Sequence, residues 1–487
     1  MTLASETHFG QSAKSLMTHT LNPYLFREYD IRGHAQIDLS EKATRAIARA
    51  FAQMLRQRGL LHVVVGRDCR LSSPSLFTWL TDELLAGGIN VSDLGEVPTP
   101  AMYFATLMHE SGTGIMITGS HNPAPDNGFK IVMQRESFFG EDLQKLRGVA
   151  LEALEQASSE GPRGTLSLLP LLPSYHDWIV RRIQHARSSR RILLDCGNGM
   201  AGVVAPRLYR ALGYEVETLY EIPDGRFPHH HPDPTVAANL TVLQDQCRRK
   251  HVVGLAFDGD ADRLAVVDPL GGILSGEELL WIFARSILKK KRGAIILGDV
   301  KVSKEIFAAI SRAGGVPYIS KTGHSLIKSK MKELQAPLAG EMSGHLFFAD
   351  RYFGYDDAIY AGARLLEILE EEHVESPTPL IADLPQRHTT AEIRIPCLDD
   401  DKRRVVQSVH DELERLGCVI NALDGVRVEF DDGWGLLRAS NTQPALVSRY
   451  EARTYERLVE IEALFQGALE KAQPHVPTQT VETPKTW

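Results

Sequence analysis

Ile115-Met116-Ile117-Thr118-Gly119-Ser120-His121-Asn122-Pro123 reads as a buried strand that stops at a polar turn. The apolar triplet predicts the strand, and the turn then sets Ser120 at the carboxyl end of a sheet, where open α/β sheets bind ligands. Gly119 lets the backbone come close to a ligand, and Pro123 keeps the turn from running straight into a regular element. A serine hydroxyl held there beside a histidine can accept or donate a group. Taken alone, the segment is equally an ordinary polar loop between a strand and a helix. A second segment separates these readings: Asp258-Gly259-Asp260-Ala261-Asp262-Arg263, which also follows a strand-like run, Val252 to Phe257.

Three aspartates at i, i+2 and i+4 on an extended loop can turn their carboxylates toward one point. An oxygen-only set suits a hard divalent cation, with Mg²⁺ the common choice beside phosphates. One Asp-Gly-Asp alone would read as a solvated turn. An EF-hand is disfavoured, because no Glu stands at the twelfth position and a strand, not a helix, comes first. With the serine loop, the aspartates point to phosphoryl transfer, in which a cation bound by Asp258, Asp260, Asp262 and an oxygen of a phosphate on Ser120 stabilises charge on that phosphate. Neither a GxxxxGK[ST] cradle nor a kinase-type glycine loop is present, so ATP as donor is not supported.

Around these loops the chain alternates helical and strand patterns. Ile47, Phe51, Met54 and Leu55 recur at helical spacing, and Val63-Val64-Val65 predicts a strand ending in Gly66-Arg67-Asp68. Further units open at Arg191 to Asp195 and at Ala294 to Leu297, the latter leading to a helix with Ile306, Phe307 and Ile310 and then Tyr318-Ile319. Repeated βα units predict mainly parallel α/β layers. After Pro385 the grammar changes: Ala391, Ile393 and Ile395 alternate, as do Val426, Val428 and Phe430. The helix between them carries Val405, Val409, Leu413 and Leu416, and a last helix carries Leu458, Ile461, Leu464, Phe465 and Leu469. The fold expected is three successive mixed or parallel α/β domains, over residues 1–165, 166–270 and 271–385, and a smaller α+β domain over 386–472. A Pro/Thr-rich tail follows at 473–487.

With 487 residues the chain is too long for one core, and 43% apolar residues allow several. Its 54 basic and 62 acidic residues leave a formal charge of −8, which argues against nucleic acid as a partner. Five scattered cysteines, at 69, 196, 247, 397 and 418, lack CxxC spacing and read as reduced thiols. No apolar signal core and no membrane span is visible, so a cytoplasmic protein is expected, a monomer or a weak homo-oligomer. His229-His230-His231, followed by Asp233, reads as a surface loop rather than a metal site.

Several motifs in order resemble those of the α-D-phosphohexomutases, closest to the bacterial phosphomannomutase/phosphoglucomutase branch. They are Tyr29-Asp30-Ile31-Arg32-Gly33, Gly66-Arg67-Asp68, the serine loop, Asn127-Gly128-Phe129-Lys130 and Asp195-Cys196-Gly197-Asn198-Gly199. Pro232-Asp233-Pro234, the aspartate loop, Lys321-Thr322-Gly323-His324, Gly340-Glu341-Met342-Ser343-Gly344-His345 and Arg438-Ala439-Ser440-Asn441-Thr442 complete the series.

The resemblance implies four domains around a central cleft, each giving one loop. The first gives a phosphoserine at Ser120, with Asn122 beside it, and the second gives Mg²⁺ ligands Asp258, Asp260 and Asp262. The third gives a sugar loop with Glu341 and Ser343, and the fourth a phosphate loop with Arg438, Ser440, Asn441 and Thr442. Tyr29, Arg32, Lys301 and Arg449 are implied as substrate-phosphate or phosphoserine contacts. His121, His324, His345, Lys130 and Arg263 are implied beside the reacting hydroxyl, and which of them takes the proton stays open. A carboxylate and a hydroxyl two residues apart on an extended loop, as in Glu341 and Ser343, face one way and can bind neighbouring ring hydroxyls. The activity implied interconverts the 1- and 6-phosphates of mannose and glucose through a hexose 1,6-bisphosphate. Glucosamine phosphate as substrate, or a non-catalytic sugar-phosphate-binding paralogue, are the alternatives.

Overall fold

The computed structural model describes residues 21–159, 161–184, 189–441 and 443–472. Thr442 and the expected tail at 473–487 lie outside them. Among the described residues there are four sheets, and three repeat one unit. In the first, the strands His62–Arg67, Asn90–Glu96, Gly114–Ile117 and Asp126–Met133 lie in the spatial order fourth, third, first, second. The second sheet repeats that order with Arg191–Asp195, Glu215–Leu219, Val253–Phe257 and Leu264–Val267. The third repeats it with Ile295–Asp299, Val316–Ser320, Leu338–Gly340 and Leu346–Phe348.

In each unit the first three strands pair parallel and the fourth pairs antiparallel with the third. The parallel pairing expected from the sequence therefore holds for the first three strands of each unit and stops at the fourth. The reason is loop length. A parallel return needs a crossover of a dozen or more residues, whereas residues 118–125, 258–263 and 341–345 are all that join third strand to fourth. These three connections are the serine, aspartate and sugar loops. The serine loop is thus a strand-to-strand turn, not the strand-to-helix loop that was the ordinary alternative, and the three loops are equivalent parts of one repeated unit.

The fourth sheet is antiparallel throughout, with Gly433–Ala439 and Ala445–Ala452 central. Helices Lys402–Arg415 and Tyr455–Ala472 bury Val405, Val409, Leu413, Ile461 and Phe465 against it. This is the α+β organisation expected, except that Leu416 falls just past its helix and is 49% exposed. The first three sheets share one apolar core. It runs from Val64 and Tyr103 through Leu194 and Leu255 to Leu280 and Phe348. The fourth has a core of its own, from Cys397 to Leu469. Among the described residues no helix is long and apolar enough to cross a membrane.

Candidate active site

Ser120 is buried and takes a left-handed backbone, φ 48°. Its N–H donates to Thr118 Oγ1 at 2.8 Å, and its hydroxyl donates to Asp258 Oδ2 at 2.8 Å and lies 3.2 Å from His121 Nδ1. Arg70, whose side chain is 0% exposed, straps this loop from below. Its guanidinium donates to the carbonyls of Ser120 (2.7 Å), Asn122 (2.7 Å), Pro123 (2.6 Å) and Asp126 (3.0 Å), and to Asp68 at 3.1 Å. Gly119 makes room, since a Cβ there would stand 2.6 Å from the guanidinium carbon. Gly259 does the same on the aspartate loop, where a Cβ would meet the Ser120 carbonyl at 2.5 Å.

Asp258, Asp260 and Asp262 are buried, and each offers an oxygen within 4.8 Å of the other two. Asp258 Oδ1 accepts the N–H groups of Asp262 (3.0 Å) and Arg263 (3.1 Å), which folds the loop around its own first carboxylate. Asp260 Oδ2 accepts from Thr99 at 2.5 Å and from Lys130 Nζ at 2.7 Å, and Lys130 also bonds Asp262. Burial, then the charges of Asp262 and Asp260, push the Asp258 carboxyl well above its usual range. Three carboxylates this close cannot all ionise without a cation among them. The donor set fits a hard divalent ion: it is all oxygen, it is enclosed, and Asp260 Oδ1 is buried with no hydrogen-bond partner. Lys130 now supplies the positive charge. Burial lowers its pKa, but Asp260, Asp262 and Asp356 outweigh burial and the net shift is upward. The fall in pKa that would let Lys130 act as a base is not observed.

The histidines divide into two kinds. His345 bridges the loops, with Nδ1 2.6 Å from Glu341 Oε2 and Nε2 3.2 Å from Asp262 Oδ1. Burial opposes its charge, yet Asp262 and Glu341 raise it to about 9 and favour the imidazolium; Arg263 Nε also lies 3.3 Å from Nε2. His121 and His324 are both well below the usual histidine range, through burial first and then nearby cations. Glu341 also accepts the Gly323 N–H at 2.8 Å, and Ser343 Oγ lies 3.4 Å from Glu341 and 3.3 Å from His345 Nδ1. Glu341 and Ser343 do face one way, as the spacing predicts.

Arg32 lies against the serine loop, donating to Asn122 Oδ1 at 3.1 Å and to Asp30 at 2.5 Å, while its Nε is buried without a partner. The Tyr29 ring packs edge-on to His324 with centroids 5.1 Å apart. At the far end, Arg438 donates through Nε to Asp424 at 3.0 Å and keeps a buried NH2 without a partner. Ser440 Oγ accepts the Gln443 N–H at 3.2 Å, and Lys402 Nζ fastens the carbonyls of Ser440 (2.6 Å) and Gln443 (3.0 Å). Asn441 is half-buried on the same loop.

Two expected phosphate contacts are otherwise engaged. Arg449 donates to both oxygens of Glu277 (2.9 and 3.2 Å) and to the Lys301 carbonyl, so it ties the third domain to the fourth sheet. Lys301 pairs with Glu392 at 3.1 Å. In the histidine run, His229 and His231 are exposed and His230 bonds Asp195 at 3.1 Å, as a surface loop would have it.

Four family models cover the chain in order. The α/β/α domains I, II and III of phosphoglucomutase/phosphomannomutase match residues 23–152, 173–271 and 275–388, and its C-terminal domain matches 392–467. The chain belongs to the phosphoglucomutase/phosphomannomutase family. It is 44% identical to the phosphomannomutase/phosphoglucomutase of Pseudomonas aeruginosa over 459 residues, covering 94% of this chain and 98% of that one. It is 40% identical to a phosphoglucomutase of Neisseria gonorrhoeae over 455 residues, covering 93% and 98%. A crystal structure of a family protein from Burkholderia thailandensis superposes with a TM-score of 0.85 at 39% identity, covering 94% of this chain and 99% of that one.

Several groups of this phosphohexomutase were not singled out from sequence: Arg70, Thr99, Glu277, Lys328, Asp356, Lys402 and Asp424. For Lys328 a signal existed, since it stands one helical turn after His324. Arg70 had only its place in a polar loop after Gly66-Arg67-Asp68, and its partners are backbone carbonyls that no side-chain pattern reveals.

Proposed function

We propose that this enzyme interconverts the 1- and 6-phosphates of mannose and glucose, with Ser120 as phosphoryl carrier. The observation that carries the reading is the Ser120 hydroxyl, buried and 2.8 Å from a carboxylate of the aspartate trio. The phosphorylated Ser120 donates its phosphoryl group to the free hydroxyl of a hexose monophosphate. The sugar oxygen bonds to phosphorus as its proton is lost, the phosphorus–Ser120 oxygen bond breaks, the Ser120 oxygen regains a proton through His121, and a hexose 1,6-bisphosphate results. After the bisphosphate turns end for end, its other phosphate returns to Ser120. His121 Nδ1, 3.2 Å from the hydroxyl and uncharged, is the acceptor we assign to the serine proton on that return.

Asp258, Asp260 and Asp262 would hold Mg²⁺, which when bound supplies charge stabilisation for the transferring phosphoryl group. Glu341 and Ser343 orient the sugar ring hydroxyls, and Arg438, Ser440 and Asn441, with Thr442, receive the phosphate that does not react. Tyr29, Arg32, Asn122, Arg263 and His345 line the reacting end, and Lys301 completes the phosphate end once Glu392 gives way. Arg449 is assigned to domain docking rather than to substrate. We set the domain boundaries near 165, 270 and 386, and place the enzyme in the cytoplasm.

A coupled assay with mannose 1-phosphate, glucose 1-phosphate and glucosamine 1-phosphate, each primed with glucose 1,6-bisphosphate, tests the reading. Turnover of the first two well above the third is expected. Turnover of glucosamine phosphate alone, or phosphate release with no isomer formed, would overturn it.

A further inference from the structure

His324 opens the helix His324–Leu334, directly after Gly323, and Lys328 lies one turn further on the same face. The Lys328 ammonium is pinned on three sides. It lies 3.2 Å from His324 Nδ1, 3.1 Å from Asp356 Oδ1, and 3.9 Å from the centroid of the Tyr103 ring. Asp356 is fully buried; burial lowers Lys328 below the usual lysine range, while this carboxylate at 3.1 Å opposes the fall and favours the ammonium. An ammonium has three donors and no acceptor. His324 Nδ1 must therefore accept, and the single proton of the neutral ring resides on Nε2. Burial, then the charges of Lys328 and Lys130, hold the ring below its usual range and keep a second proton away.

His324 Nε2 is buried and has no hydrogen-bond partner among the described residues. An orphaned buried N–H is costly, and the His324 ring has its centroid 5.1 Å from that of Tyr29 and 6.0 Å from that of His345, within the group of residues assigned to the sugar phosphate. Lys130 and His345, by contrast, already lie against carboxylates. We propose that Lys328 is a positioning residue that fixes the tautomer of His324, so that this imidazole meets the sugar phosphate as an Nε2–H donor to one of its oxygens. Lys328 itself does not reach the substrate. The inference rests on the mutase reading above.

The test is a double-mutant cycle on the full-length, metal-loaded enzyme with glucose 1-phosphate, together with ¹⁵N NMR of selectively histidine-labelled protein. Lys328→Met is expected to lower kcat by about ten- to a hundredfold with little change in KM. The pair His324→Ala/Lys328→Met is expected to be no slower than His324→Ala alone, and Lys328→Arg, which still only donates, to keep more activity than Lys328→Met. Independent, multiplicative losses would overturn the proposal. The ring nitrogens of His324, assigned by their disappearance in His324→Ala, should show an unprotonated Nδ1 and a protonated Nε2 in the wild type. A protonated Nδ1 would overturn the proposal whether or not any variant folds. Absence of mutase turnover in the wild type would sink the catalytic reading while leaving the tautomer measurement to stand or fall alone.

Discussion

The first three sheets and the fourth are joined by different forces. Serine, aspartate and sugar loops sit on sheets that share one apolar core from Val64 to Leu380. Such an interface has one packed arrangement and resists sliding. The C-terminal sheet meets the rest mainly through polar contacts. Glu277 holds Arg449 and, at 3.1 Å, Arg387; Lys301 pairs with Glu392; Arg27 pairs with Asp399 at 3.1 Å; Tyr24 donates to Asp400 at 2.7 Å. One small apolar contact, Val300 against Trp434 and Leu436, lies among them. Polar pairs can exchange protein partners for water or for a phosphate at modest cost, and a packed apolar seam cannot. The end proposed to react is thus built on one packed apolar body, and the sheet proposed to receive the second phosphate is joined to it mainly by polar pairs.

The largest expected effect falls on the packed body. Ser120→Ala should reduce kcat at least about a thousandfold, because it removes the hydroxyl proposed to carry the phosphoryl group; steady-state turnover checks it. Asp260→Asn should weaken the affinity for Mg²⁺ by more than about tenfold, read by metal titration under equilibrium dialysis. An unchanged titration would remove Asp260 from the ligand set.

Changes at the polar interface should act differently. Glu277→Gln removes the carboxylate nearest Arg449 and Arg387 and leaves them Glu451, at 3.9 and 3.4 Å, a loss of up to about 3 kcal/mol in docking. The expected readouts are a higher KM and a looser particle by small-angle scattering, with the melting of the first three sheets unchanged. The same residue predicts an acid response. Burial would raise the Glu277 carboxyl, but Arg449 and Arg387 outweigh burial and hold it at about 2. A depressed carboxyl stabilises above its unfolded pKa and loses that contribution as pH falls through the folded one. Docking should therefore weaken as pH falls from about 4.5 toward about 2, and Glu277→Gln should lack that part of the transition. The smallest effect is expected for Arg27→Ala. Its ion pair is partly exposed, so a rise in KM below about threefold should follow; a large loss would mean that this edge, and not Glu277, carries the docking.

Much of the packed body was legible in the chain. An apolar run followed by a glycine-bearing polar turn announces itself at Ile115–Ser120 and Val252–Asp262, and helical spacing announced the flanking helices. The antiparallel fourth strands were not legible as such, because strand direction is set by the length of the connection, which pattern alone does not measure. Gly433–Ala439 is buried along nearly its whole length and lacks the alternation that marks a half-exposed strand. The pairing of Arg449 with Glu277 was hidden for a related reason. From sequence Arg449 is an arginine in a C-terminal strand, and Glu277 is an ordinary acid in the first turn of a helix. Only the fold brings the two together across 172 positions.

The most direct measurement is the intact mass and peptide map of the purified enzyme, before and after exchange with isotopically labelled glucose 1,6-bisphosphate. A phosphate-sized mass on the peptide that contains Ser120, carrying the label and lost with turnover in Ser120→Ala, is the predicted result. Full mutase turnover by protein that never bears phosphate at Ser120 would contradict it.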